Sequence, residues 1–408
     1  MSGLSHRPDT QCLLRRTGQF TTSPESSGVN THTRYFYSNF LFNNFSHSVS
    51  CISLSAIAGI ALLLQACAGT TEMGKYGKPV SKKEFMQEIL SLPKDQSAVM
   101  VGRNLSELNL ASTSLQAADF SDSSLRKSVL KNSDMRLAQF YNTDLSRADL
   151  SNANLSEANL RNANLSGANL TDAILDGADL SNANLTGAML NRTSLVKVNM
   201  NNVSLSKATI TETDMSGIVL RGVDFSSAFL QSVDFTRAEL SEANFLNARL
   251  ESVNFEQSQA ARAIFAKTNF QKCRLRGVNF YQAIFKEAIL QKSDFTGATL
   301  DEANFTEADL LRSKINDATA VRTSFIWTFL KGASMKKSDF SHSDFSNAIL
   351  QDVDLSSSFM DNAIMTNADL NNATLTDTDF KETNMQDAKF TGANLQDAKN
   401  TELSRNKN

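Results

Sequence analysis

The sequence predicts an all-β solenoid, a chain wound into a column of stacked coils, and three observations predict it. From Leu105 to Leu395 every residue number divisible by five is apolar, and all but Ala260 and Ala320 are Leu, Phe, Met or Ile. Two residues before each, from Thr113 onward, stands Ala, Ser, Thr, Val or Cys, with Ile218 the one larger exception. Phenylalanines recur at a spacing of twenty, at Phe225, Phe245, Phe265, Phe285, Phe305, Phe325 and Phe345. A period of five matches neither the 3.6 of a helix nor the 2 of a strand, so the chain must turn at regular intervals.

The stretch "SNANLSEANLRNANLSGANL", residues 151–170, shows the unit. A large apolar residue and the small one two before it point the same way, and the polar residues between them face out. Asn and Asp suit the turns because their side chains bond nearby backbone and tolerate unusual dihedrals. A larger residue at a small position overfills a narrow interior, at about 1–3 kcal/mol each. The phenylalanine run is preceded at the same spacing by the leucines from Leu105 to Leu205 and continued by Met365 and Met385. If like residues stack, a coil is four pentapeptides and its cross-section is roughly square. Stacked aromatics add about 0.5–1.5 kcal/mol per pair. At about 4.8 Å per coil, about 15 coils make a rod roughly 70 Å long. Leucine-rich repeats need a period of about 20–29 with a different leucine pattern.

Segments such as "ADLSNANLSEANL" resemble the pentapeptide-repeat family, whose pattern is A(D/N)LXX, residue by residue and over about 70% of the chain. The resemblance implies a right-handed quadrilateral β-helix.

Ahead of the repeat, residues 1–66 read as a leader or signal region, expected to be largely disordered apart from an apolar helix at 52–66. That run, "ISLSAIAGIALLLQA", is shorter than the roughly 20 residues that cross a bilayer and suits the core of an export signal. Leu64-Gln65-Ala66-Cys67 resembles a bacterial lipoprotein signal, which implies lipid attachment, palmitate included, at Cys67. Gln65 is larger than the family's usual residue, and the nearest upstream arginine is Arg34. The leader also exceeds the usual length of about 15–30 residues. A start downstream of Met1, at a codon such as that of Val29, is expected. An uncleaved membrane anchor and a buried helix are the other readings of 52–66. Ala68 stands where an aspartate would, by resemblance, imply inner-membrane retention, so the expected address is the outer membrane, facing the periplasm.

Residues 67–80 then form a short polar, Gly-containing tether. Ser81-Lys82-Lys83-Glu84 is a capping-box pattern before "FMQEILSL", with Pro93 beyond, and predicts a helix over 82–91. Within a lead-in of 81–100 that helix lids the first coil, because a solenoid end otherwise exposes its core. The β-helix runs over 101–396 and a polar tail over 397–408. Family members that dimerise through C-terminal helices have a segment that this tail does not resemble.

The net charge is −3, with about −7 over 101–396 and roughly +3 over the first hundred residues, so no global field pulls the chain toward nucleic acid. Cys12, Cys51, Cys67 and Cys273 show no paired spacing of a zinc site or disulfide framework. Cys273 holds a small inward position and reads as a packing thiol. After Cys67 one histidine remains, His342, beside Ser341 and Asp344. A flat-sided column offers such a trio no pocket. Calcium needs about six to eight converging oxygens, whereas these carboxylates are spread along turns. The sequence predicts no enzyme, cofactor, metal or small-molecule substrate.

Contacts are the better hypothesis. Ile326, Trp327 and Phe329 all take outward positions in "SFIWTFL", and Ile349 follows Phe329 by one coil. Exposed apolar clusters mark contact sites. A local irregularity beside the undersized Ala320 is the other reading. Lys272, Lys292 and Arg312 form an outward basic column, with Arg274 and Lys314 on an adjacent one. Such a stripe suits an anionic partner, with ordinary solvation as the alternative. Residues 351–397 turn acidic, with Asp352, Asp354, Asp361, Asp369, Asp377 and Asp379.

The expected function is a non-enzymatic, lipid-anchored scaffold that binds an unidentified protein or component of the bacterial envelope, with membrane contact through Cys67 and no nucleic acid. The family resemblance supplies a rival, a cytoplasmic acidic rod that mimics B-form DNA and binds DNA gyrase, giving fluoroquinolone resistance. A rod charge of about −7 is weak for that role.

Overall fold

The five-residue period becomes a turn in every unit. In a computed structural model, which describes residues 76–93 and 96–401, the carbonyl of most large residues accepts from the amide three residues on. Ala158 N–H to Leu155 O and Ala163 N–H to Leu160 O, both 3.0 Å, are typical. Every residue whose number ends in 2 or 7, from Gly102 to Asp397, has φ between +52° and +73°. Such a turn demands positive φ at its third residue. Asn152 and Asn162 tolerate it, but so must Glu157, Lys272, Arg312 and Trp327. For a residue with a Cβ the cost is about 1–2 kcal/mol. Positive φ here is a property of the repeat and marks no special site.

Between turns, residues ending in 4 or 9 pair in parallel with the residue twenty on. Four such ladders run along the solenoid. We name them by representative members: the Asn104 ladder, the Asn109 ladder, the Ser114 ladder and the Asp119 ladder. Leu155 N–H donates to Ile174 O at 2.7 Å, and Asn154 N–H donates to Ser133 O at 2.9 Å. In the Asn109 ladder four rungs lengthen into three-residue strands, β1 (Thr209–Thr211), β2 (Phe229–Gln231), β3 (Arg249–Glu251) and β4 (Asn269–Gln271). The Asn or Asp before each large residue works twice. Asn164 Oδ1 accepts from the Ser166 amide at 3.2 Å, and Asn164 Nδ2 donates to Asp144 Oδ1 one coil below at 3.1 Å.

Inside, the large residues are buried, from Leu105 through Phe380. The phenylalanines stack as the spacing predicts: Phe225 on Phe245 at 4.7 Å and 4°, Phe285 on Phe305 at 4.6 Å and 2°. Rings ten residues apart meet edge-on across the interior, as Phe225 meets Phe235 at 5.9 Å and 77°. Most hydroxyls at small positions donate to a carbonyl 23 residues back, as Thr143 Oγ1 does to Phe120 O at 2.7 Å, which satisfies them on burial; Ser258 Oγ and Ser313 Oγ are buried without a partner.

Helix α1 spans Lys82–Ser91. Ser81 Oγ accepts from the Glu84 amide at 3.2 Å and the Ser81 amide donates to Glu84 Oε2 at 2.8 Å, closing the capping box. Those bonds from Ser81 hold the Glu84 carboxyl below its ordinary pKa. Phe85 is wholly buried in the solenoid core, and Glu88 pairs with Arg103 of the first coil at 3.3 Å. Among the described residues no helix is long and apolar enough to cross a membrane. Cys67, the apolar run 52–66 and most of the tether lie outside the described residues.

The ladders are interrupted once among the described residues. Ser194 does not pair with Asp214, nor Asn199 with Val219, while the other two ladders pass the same level unbroken.

Replacing Leu160 by Asp places an unpaired carboxylate in the packed column. We expect Leu160→Asp to lower the unfolding free energy by roughly 3–5 kcal/mol. Chemical denaturation monitored by circular dichroism checks this; an unchanged midpoint would contradict the inward assignment.

Candidate interaction face

The two groups of contact residues singled out in the sequence flank one ladder. Phe329 and Ile349 are successive rungs of the Asn109 ladder. Trp327 occupies the turn leading into that ladder, and Lys272, Lys292 and Arg312 occupy the turns leading out of it. The face therefore has an apolar patch on one edge and a basic edge opposite.

Trp327 is 62% exposed and Ile349 39%, with Ile326 and Phe329 half-buried beside them. The contrast with Phe229 on the same ladder is informative. Phe229 lies under the Arg249 guanidinium, 5.2 Å from carbon to ring centroid, so its ring is covered. Phe329 has the apolar Ile349 above it and Asp309 below. Next to Ala320 the ladders are unbroken, while the turn bond from Thr323 N–H to Ala320 O is long at 3.4 Å. Ala320 N–H donates to Asp339 O at 2.8 Å, and the rungs at Thr319 and Ser324 are intact. Ile289, two coils below Phe329 and 44% exposed, belongs to the same face. Its signal was available, an isoleucine at an outward number. Phe359, 54% exposed on the Asp119 ladder between Asp339 and Asp379, carries the same signal on another face.

On the basic edge the three cations are exposed. Several cations at turn positions elsewhere pair along the column with a carboxylate twenty residues away: Arg192 with Asp172 at 2.8 Å, Arg262 with Glu242 at 2.7 Å, Lys267 with Glu287 at 3.5 Å. Asp172 is held below and Arg192 above its ordinary pKa by that mutual hydrogen bond. In the column of Lys272, Lys292 and Arg312 the neighbours one coil apart are each other, followed by Gly332 and then Asp352, which pairs with Lys331 at 3.7 Å. The adjacent column is less uniform. Asp294 lies between Arg274 and Lys314 in the ladder and pairs with Arg276 at 3.7 Å.

A shallow cavity of about 480 Å³ opens between the first two lysines, lined by Gln271, Lys272, Cys273, Ile289, Gln291 and Lys292. Cys273 is the packing thiol its position predicts, 9% exposed, with Sγ 3.6 Å from Leu250 O. Burial pushes its pKa up to about 12. His342 is exposed and forms no relay: Ser341 Oγ donates to Asp339 at 2.6 Å, and Asp344 accepts from the Ser346 amide at 2.8 Å. Among the described residues no group of three or more His, Cys, Asp or Glu could hold a metal ion.

The chain's sequence matches two family patterns. Pentapeptide repeats match over residues 104–140, 138–177, 321–356 and 363–399. A pentapeptide repeat region matches over 168–245, 188–265 and 248–325. No curated protein matches. Among solved structures, a pentapeptide repeat protein, Rfr23, from the cyanobacterium Cyanothece 51142 is 28% identical, covering 32% of this chain and 96% of its own, with a TM-score of 0.27. HetL, a pentapeptide repeat protein involved in heterocyst differentiation regulation in Nostoc sp. strain PCC 7120, is 22% identical over 78% of this chain and 94% of its own, with a TM-score of 0.15. Full-length QnrB1, a plasmid-mediated fluoroquinolone resistance protein, is 17% identical over 51% of this chain and 93% of its own, with a TM-score of 0.16.

The buried thiol yields a direct check. With a pKa near 12, Cys273 holds almost no thiolate between about pH 7 and 9, whereas an unfolded thiol ionises near 8.5. Stability from this group is therefore complete below about pH 8.5 and is lost as pH rises toward 12. Iodoacetamide should leave the Cys273 peptide unmodified in native protein at pH 8 and alkylate it fully in denaturant, read by mass spectrometry. Rapid native labelling would mean that the thiol is not packed as described.

Proposed function

The chain belongs to the pentapeptide-repeat family, and from that premise we propose that it is a non-enzymatic interaction protein whose contact surface is the face of the Asn109 ladder between Trp327 and Lys272. In this reading the coil is right-handed and four-sided, in keeping with a turn every five residues and a rung every twenty. The carrying observation is the exposed Trp327 next to uncovered Phe329 and Ile349, across one face from three mutually adjacent cations. Large aromatics that desolvate well supply most of the affinity at interfaces, and a charged rim supplies orientation and encounter rate. The partner is a protein or envelope component with an apolar anchor site and an anionic border. Anchoring through a lipid on Cys67, at the periplasmic side of the outer membrane, completes the proposal and rests on the Leu64-Gln65-Ala66-Cys67 pattern.

The rival reading, a DNA mimic that engages gyrase, requires one continuous acidic face. No ladder carries a carboxylate in more than two successive rungs, and the basic column borders one face and Arg274 and Lys314 interrupt another. The charge pattern therefore favours the scaffold.

Two experiments test the two parts. Radiolabelled palmitate should enter wild-type protein in the membrane fraction and be lost in Cys67→Ser. An unlabelled, non-membrane wild-type protein would remove the anchor and bring the mimic forward. A photo-crosslinking residue at position 349 should give a discrete adduct in cells that one at Thr319, on the Asp119 ladder, does not. Trp327→Ala should reduce that adduct at least tenfold while leaving thermal melting within about 1 °C, as a surface change should. Equal adducts from both positions would exclude this face as the contact site.

A further inference from the structure

The single interruption of the ladders is a seam across two adjacent segments of one coil. By the register, the amides of Leu195, Lys197, Met200 and Asn202 would donate to the carbonyls of Asp214, Ser216, Val219 and Arg221. The equivalent bonds exist one coil below, where Leu175, Gly177, Leu180 and Asn182 donate at 2.8–2.9 Å. They exist again one coil above, from Met215, Gly217, Leu220 and Gly222 at the same lengths. At the seam none is formed, although at its edge the Thr213 hydroxyl still donates to Leu190 O at 2.7 Å. Continuity returns at Leu205, whose amide donates to Asp224 O at 2.7 Å.

The cause is in the interior. Ile218 is the largest residue at any small position after Leu108, and it stacks on Val198. Where alanine fills such positions the side chain is almost wholly buried; Val198 is 9% exposed and Ile218 only partly buried. The turn bonds that these two donate are 3.3 and 3.4 Å, against 2.9 Å for Ala178 and Ala238 in the same column, although Val223 and Thr323 donate bonds as long at levels where the ladders hold. Two β-branched side chains in a slot sized for alanine wedge the coils apart. The strain reaches the neighbouring ladder, where Asp224 N–H lies 3.5 Å from Val203 O before order is regained.

We propose that this seam is a hinge: the solenoid comprises two stiff stacks, joined at residues 195–221 by the two intact ladders and free to open on the other two. A stack whose coils are bonded on all four ladders resists bending, while a level bonded on only two yields toward the open side. The hinge separates the N-terminal stack from the face carrying Trp327 and the basic column. If that face is the contact surface, as proposed above, the seam gives it angular freedom relative to the N-terminal end. The hinge itself does not depend on that reading.

Two measurements on the full chain test it. In hydrogen exchange, the amides of Leu195, Lys197, Met200 and Asn202 should exchange at least tenfold faster than those of Leu175, Gly177, Leu180 and Asn182, which occupy the same positions one coil below. Spin labels carried on non-canonical residues at positions 139 and 259 span the seam on the Asp119 ladder, six coils or about 29 Å apart. Their distance distribution should be broader than that of an equally spaced pair at 259 and 379. Ile218→Ala, or Val198→Ala if the first variant folds poorly, should slow the exchange and narrow the distribution. Fast amides with a narrow distribution would leave a static defect and overturn the hinge. Slow amides in wild type would overturn the seam as well. Either failure leaves the crosslinking result at position 349 standing.

Discussion

The ladder of backbone hydrogen bonds between residues twenty apart governs every other feature of this protein. It fixes the rise at one strand spacing per coil, about 4.8 Å. Each interior layer must therefore fit within one strand's thickness. Flat aromatic rings suit that constraint and stack at 4.6–4.7 Å where their register is best, as at Phe285–Phe305 and Phe225–Phe245. Alanine, serine and threonine suit the small positions for the same reason. The ladder also offsets the cost of placing residues such as Lys272 and Trp327 at positive φ, the conformation with which each turn closes while the rungs stay aligned.

Much of this was legible in the sequence because the constraint repeats. The large-and-small alternation, the phenylalanine stack, the buried Cys273 and the Ser81–Glu84 cap each correspond to contacts now visible. The outward patch at Trp327 could be placed by counting, because the chain holds one register throughout. What counting missed depends on how neighbours in space combine. Ile289 joins the Trp327 face only once the ladder shows which outward residues share a side. The pairing of Phe229 with Arg249, which covers one ring and leaves Phe329 uncovered by contrast, is likewise a property of adjacent coils.

The seam shows the same limit more sharply. Ile218 was conspicuous as an oversized residue, but size alone does not open a ladder. Val233 and Val253 stack at equivalent positions, and the rung between Asp234 and Asn254 survives. The difference lies in the extra methylene of Ile218 above a second β-branched residue, in a column where the next coil offers Ala238. A packed interior tolerates one such insertion by shifting side chains, and beyond that the backbone must move.

A repetitive scaffold also changes how surface charge should be read. Outward positions recur every twenty residues, so a cation and an anion on successive coils neutralise each other without any requirement from a partner. Arg192 with Asp172, Arg262 with Glu242 and Lys127 with Glu107 are such pairs. Being exposed, they contribute little to stability individually. Their main effect is to level the field along the column. Against that background the informative positions are those where the pairing fails. Lys272, Lys292 and Arg312 stack like charges on successive coils, an arrangement that costs the isolated rod energy and relieves it only when something anionic approaches. Such an uncompensated column beside an uncovered aromatic patch is the strongest argument that this face of the solenoid is built to be met by another molecule.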